Sequence, residues 1–170
     1  MKRTIIALAL VTAGCGSSSP TAPTIAQVAG VWRGTTRVSS VSGGECFATA
    51  FQAAVGSVTT ASAAVTQSGS TLNVTITDPS SGASYTFTGT AGETAIQLTV
   101  TGCTASDSIG ARCPNGAVRD IRLQTASINA TVNGNTMTGT EGETYNVNVG
   151  GTSSPVGTLT VTSTFSVTKQ

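Results

Sequence analysis

Apolar residues in this chain alternate with hydroxyl-bearing ones over stretch after stretch. Leu72, Val74 and Ile76 are separated by Asn73 and Thr75, and Tyr85 and Phe87 by Thr86. Ile96, Leu98 and Val100 repeat the pattern, as do Ile121 and Leu123, then Ile128, Ala130 and Val132. Tyr145, Val147 and Val149, and later Leu159, Val161, Phe165 and Val167, complete it. A period of two marks a strand with one face on a core and the other in water. Turn residues separate the stripes: Ser68-Gly69, Asp78 through Gly82, Ala91-Gly92-Glu93 and Asn133-Gly134. Asn-Gly predicts a type I′ hairpin, in which both central residues take positive φ. The chain is therefore all-β, and its strands follow one another as hairpins.

Composition narrows the choice of sheet. Charged residues make up 9% of the chain and aromatic residues 4%, against about 25% charged in an ordinary soluble protein. The outer faces are then neutral and rich in Thr and Ser, and the core is built from small β-branched side chains. Residues 28–170 have the length of one domain. A meander of about eight to ten strands closes most readily into an antiparallel up-and-down barrel, because closure leaves no exposed edge. A β-sandwich is the alternative. One segment departs from the pattern: Phe47, Ala50, Phe51 and Ala54 recur at helical spacing, with Gly56 as a C-terminal cap,. This predicts one short helix between the first two strands, packing two phenylalanines on an end of the sheet.

Part of the meander is duplicated. Thr86-Phe87-Thr88-Gly89-Thr90-Ala91-Gly92-Glu93-Thr94 recurs as Thr136-Met137-Thr138-Gly139-Thr140-Glu141-Gly142-Glu143-Thr144, differing only at Phe87/Met137 and Ala91/Glu141. The strands ahead of each copy, Leu72–Ile76 and Ile128–Val132, also correspond. The duplication predicts the same path twice, with Glu93 and Glu143 in equivalent tight turns.

The N-terminus reads as an address. Lys2 and Arg3 precede the uncharged apolar run Thr4–Ala13, which is shorter than the roughly 20 residues a spanning helix needs,. Ala13 and Gly14 then lead into Cys15. This arrangement resembles the lipobox of bacterial lipoproteins, with Thr12 where leucine is commoner. The resemblance implies removal of residues 1–14, acylation of Cys15 with palmitate-type chains, and anchoring to a membrane of the cell envelope. Residues 15–27 follow as a flexible Gly/Ser/Pro tether. Gly16, rather than aspartate, after the cysteine points by the same resemblance to the outer membrane.

The first strand, Ala29-Gly30-Val31-Trp32-Arg33-Gly34-Thr35, looks like the Gly-x-Trp opening of lipocalins and other calycin barrels. In that family the tryptophan closes the barrel base beneath a basic residue from a late strand. Here Lys169 or Arg119 could supply it, through a cation–π contact of about 0.5–2 kcal/mol. The resemblance implies a barrel that takes a small hydrophobic ligand. Its lining would come from Val74, Tyr85, Phe87, Leu98, Leu123, Met137 and Tyr145, with Arg119 as an anchor for a carboxylate headgroup. The plainer reading of Arg119 is a rim residue that reaches water.

Little else points to chemistry. The chain has no histidine, so neither a Ser-His-Asp triad nor a histidine metal site can form. No cofactor is implied, and no catalytic or metal-binding set is expected. Without Lys2 and Arg3 there are six basic and seven acidic residues, which gives no basic stripe for nucleic acid. The carboxylates Glu93, Glu141 and Glu143 read as solvated hairpin tips, and Asp78 as a turn residue. Beyond Cys15 there are Cys46, Cys103 and Cys113. Cys103 and Cys113 flank a short loop and form the favoured disulfide, with pairing of Cys46 to either one left open. The leading expectation is a non-catalytic, lipid-anchored envelope protein with a ligand-binding barrel. The alternative is a structural or interaction module that recognises an envelope protein or polysaccharide through its outer face. An envelope hydrolase ranks third, for want of a base. The aromatic girdles of a transmembrane barrel are missing.

Overall fold

The computed structural model of the chain describes residues 24–77, 82–103 and 109–170. The lipobox with Cys15 and most of the Asp78 turn lie outside them. The described chain runs β1 (Gly30–Gly43), α1 (Phe47–Gln52), β2 (Val58–Ser68), β3 (Thr71–Thr77), β4 (Ser84–Ala91), β5 (Ala95–Cys103), β6 (Ile109–Arg112), β7 (Val118–Asn133), β8 (Thr136–Val149) and β9 (Pro155–Lys169). Every pairing is antiparallel. β1 to β5 and β7 to β9 pair in sequence order, β9 returns to β1, and β5 meets β7. The result is an eight-stranded, closed, lipocalin-like meander barrel. β6 runs in the same direction as β5 and carries pairing further along the edge of β7, from Ile109↔Ile121 to Arg112↔Val118.

Closure follows from the alternation. Leu72 and Val74 of β3, Phe87 of β4, Ile96 and Leu98 of β5, and Ile128, Ala130 and Val132 of β7 are all buried, while the threonines and asparagines between them are mostly exposed. The outer face is thus hydroxylated and the inner face apolar. The two repeat glycines allow the wall to bend. A Cβ on Gly89 would collide with the Gln97 carbonyl, and one on Gly139 with the Asn129 carbonyl and the Phe165 ring. Backbone of the next strand stands where a side chain would be.

Both ends are plugged. At one end Val28, fully buried, joins Trp32 under the barrel, with Ile25 and Ala26 packed beside it. The Gln67 side chain holds this cap, accepting from the Val28 N–H at 2.7 Å and donating to the Ala26 carbonyl at 2.8 Å. The indole N–H of Trp32 donates to the Val28 carbonyl at 2.8 Å. Ile25 and Ala26, inside the stretch whose composition reads as tether, are thus part of the packed barrel. At the other end α1 sets Phe47 onto Val41, Ile121, Val147, Leu159 and Val161, with Phe51 packed edge-on against it. The helix lies between the first two strands as expected but stops at Gln52. Gly56, at φ +88°, turns the chain into β2.

Three expectations are corrected. The disulfide joins Cys46 to Cys113, not Cys103 to Cys113. The chain does not double back after β5. β6 continues in the same direction, so Cys113 is carried on to the lid end, where the β6–β7 hairpin meets the N-terminus of α1. The Asn-Gly hairpin joins β7 to β8, but Asn133 is its last paired strand residue. Gly134 alone takes positive φ, in the first turn position that a type II′ hairpin gives to glycine,. The third correction concerns the repeat. Gly92 turns the chain between β4 and β5, whereas Gly142 lies inside the unbroken strand β8. The two copies do not follow one path.

Candidate functional site

Because β8 runs straight, its inward parity passes through Met137, Gly139, Glu141, Glu143, Tyr145 and Val147. The two glutamates are therefore lumen residues, not solvated hairpin tips. Their cross-strand neighbours on β7 and β9 are Ile128 and Ser163 for Glu141, and Ala126 and Val161 for Glu143. Two carboxylates consequently stand in a belt of small, mainly apolar groups. All three polar side chains, Glu141, Glu143 and Tyr145, face inward and are half-buried.

The belt shifts their acidities. Burial, and then the adjacent Glu143 charge, push the Glu141 carboxyl up from 4.5 to about 7,. Burial also raises Glu143, and its hydrogen-bonding neighbour Tyr145 opposes the rise only in part. The Tyr145 phenol is driven well above its ordinary range, first by burial and then by the Glu143 charge, the hydrogen bond to Glu143, and the nearby Tyr85 and Glu141. No described basic residue forms an ion pair with either glutamate. The only ion pair among the described residues is Arg119 with Glu45.

Below this belt, toward the Trp32 end, lies a cavity of about 60 Å³. Its walls are entirely apolar and include Val28, Trp32, Leu72, Met137, Phe165 and Val167. Three of the expected lining residues, Val74, Leu98 and Met137, border it. Phe87 is buried in the same cluster, with Tyr85 and Leu123 packed on its flank. Tyr145 packs instead on the lid cluster. These seven side chains thus share the lumen. Arg119 does not join them. At the lid-end rim its guanidinium donates to Glu45 Oε2 at 2.9 Å, so its partner belongs to its own chain, and it lies far from Trp32. Lys169 stands opposite Trp32 in register, and its ammonium turns to the Gln27 carbonyl at 3.4 Å.

The lid is fastened twice to the same hairpin. Glu45 and Cys46, adjacent at the start of α1, hold Arg119 and Cys113 respectively. Gln52 adds a bond from its amide to the Val41 carbonyl at 2.8 Å.

Among the described residues no group of three or more potential metal ligands comes together. What remains is a lumen with an apolar floor cavity, an acidic and phenolic belt above it, and a latched helix over the top. Trp32, Phe165 and the two glutamates were not anticipated as lining. Parity alone would have found the glutamates, since they lie between Met137 and Tyr145 on one stripe.

Fold and site together define a lipocalin-like barrel with an internal apolar cavity. Compared with known proteins, the chain matches no protein-family model, no curated protein and no solved structure.

Proposed function

We propose that this chain is a non-catalytic, lipid-anchored protein of the bacterial cell envelope whose barrel binds a small, largely hydrophobic molecule. The observation that carries the reading is the apolar cavity of about 60 Å³ in the barrel floor. Its size favours a small occupant, because drug-sized ligands fill pockets of about 300–1,000 Å³. The anchoring half of the reading rests on the lipobox-like Ala13-Gly14-Cys15 and the segment that follows it. Residues 24–28 enter the barrel at the Trp32 end, opposite the latched lid. Two or more acyl chains on Cys15 would give stable attachment, most simply at the outer membrane.

Native mass spectrometry of residues 24–170, exported and purified without detergent, tests the binding half. An added mass that denaturation removes is the expected result. A bare polypeptide mass, unchanged after incubation with an envelope extract, would refute it. The second reading, an interaction module of the envelope, then takes over. It is favoured by three exposed valines, Val118, Val149 and Val156, on the neighbouring ends of β7, β8 and β9.

A further inference from the structure

The floor cavity and the belt above it belong to one lumen but ask for different chemistry. The cavity accepts only apolar groups, and at about 60 Å³ it is smaller than the roughly 150 Å³ void that holds benzene. It suits the end of a short aliphatic chain. Along β8, Met137 borders this cavity, Gly139 adds no side chain, and Glu141 is the next inward residue. Successive inward positions on a strand are about 7 Å apart, which puts Glu141 two steps from Met137; Ile128, directly across from Glu141 on β7, also borders the cavity, so several methylenes span the gap. Phe165, which lines the cavity and lies against Gly139, gives those methylenes an apolar wall.

The belt lacks one component. A carboxylate removed from bulk water needs a partner or a proton, and the described chain supplies no cation. Arg119 is held by Glu45. Lys169 reaches the Gln27 carbonyl. Arg33, Arg37, Arg112 and Arg122 are exposed. Tyr145, the next inward residue after Glu143, adds a phenol ring to this belt, and aromatic faces attract organic cations. A metal ion would need more ligands than this group offers.

Building on the carrier reading above, we infer that the ligand is an alkylammonium compound. Its short apolar tail fills the floor cavity between Trp32, Met137 and Phe165, and its ammonium group sits between Glu141, Glu143 and Tyr145. The proposal assigns the cavity and the belt to a single amphiphile, cationic at one end.

The test uses the full chain carrying Cys15→Ser, so that it is exported without acylation. It is titrated with n-hexylamine, hexan-1-ol and hexanoate at about pH 8, where the amine remains protonated. Calorimetry and the emission of Trp32, the single tryptophan, report binding. Hexylamine is expected to bind at least roughly tenfold more tightly than hexanol, with hexanoate weakest. The double variant Glu141→Gln/Glu143→Gln should reduce the amine-to-alcohol ratio to within about a factor of two. Equal affinity for amine and alcohol, or a preference that survives in the double variant, would overturn the ammonium assignment while leaving the carrier reading in place. Binding of none of the three by chain with native near-ultraviolet dichroism would overturn both. If the double variant does not fold, the ratio in the unsubstituted lumen decides.

Discussion

Replacing Glu141 by glutamine should change how the stability of the barrel depends on pH. In the folded chain the Glu141 carboxyl titrates near 7 rather than at 4.5, because the lumen desolvates it and Glu143 lies beside it. A raised acid pKa means that the folded state holds its proton more tightly than the unfolded state does. Below about pH 4.5 both states are protonated and there is no penalty. As pH rises from 4.5 to 7 the unfolded chain ionises first, and folding loses stability. Above 7 the whole penalty is present. A rise from 4.5 to about 7 corresponds to about 3 kcal/mol,. Glutamine keeps the shape and removes the charge. Glu141→Gln should therefore match the parent chain near pH 4 and exceed it by up to about 3 kcal/mol near pH 8, equivalent to several degrees in Tm. The assay is urea unfolding at a series of pH values with the disulfide kept oxidised, comparing midpoints at constant m. Parallel pH profiles for parent and variant would refute the reasoning, and so would a variant less stable at pH 8. Either result would mean that Glu141 is solvated like a surface carboxylate.

Other perturbations probe the frame. Cys46→Ser or Cys113→Ser opens a 67-residue separation, which the chain-entropy relation values at about 4 kcal/mol; Cys103→Ser should leave the bridge intact, as non-reducing peptide mapping will show. Trp32→Phe strips the donor from the Val28 carbonyl and should cost about 1–3 kcal/mol in urea unfolding,. Gly139→Ala places a methyl against the Asn129 carbonyl and the Ala130 backbone, where nothing flexible can yield. It should lower stability by about 1–3 kcal/mol, whereas Gly142→Ala, whose Cβ meets only Ser127 Oγ at 3.8 Å, should cost less.

The barrel was legible because its determinants are local and repeated. Leu72-x-Val74-x-Ile76 and its counterparts set inside against outside one strand at a time, and closure follows from the absence of any other cover for the edges. The helix was legible from Phe47 and Phe51. Its true end was not, since Ala54 keeps the helical spacing although the chain has already turned toward Gly56. The disulfide depended on where β6 goes after β5, and nothing near Cys103 or Cys113 encodes whether that segment folds back or runs on. The lid latch was hidden for the same reason: Glu45 and Arg119 are 74 residues apart, and only the closed barrel brings them together.

The acidic belt was misread for a more instructive reason, namely that two signals in the sequence conflicted. Near-identity to Thr86–Thr94 argued that Glu143 lies in a turn; parity with Met137, Tyr145 and Val147 argued that it faces the lumen. The path depends on what lies alongside. β3 begins at Thr71, opposite Thr90, so beyond Ala91 the chain has no partner strand on that side, and Gly92 turns it back through a bond to the Ala95 carbonyl. Around Gly142 both flanking strands continue, with Ser127 on one side and Thr162 on the other. Backbone groups there are satisfied only if β8 runs straight. Near-identical sequences thus took different paths because their neighbours differ in length. Parity held because an inside–outside alternation cannot change within an unbroken strand. The exchange of Ala91 for Glu141 is where the copies differ in consequence as well as in sequence. The first copy closes an apolar wall, and the second puts a charge inside the barrel.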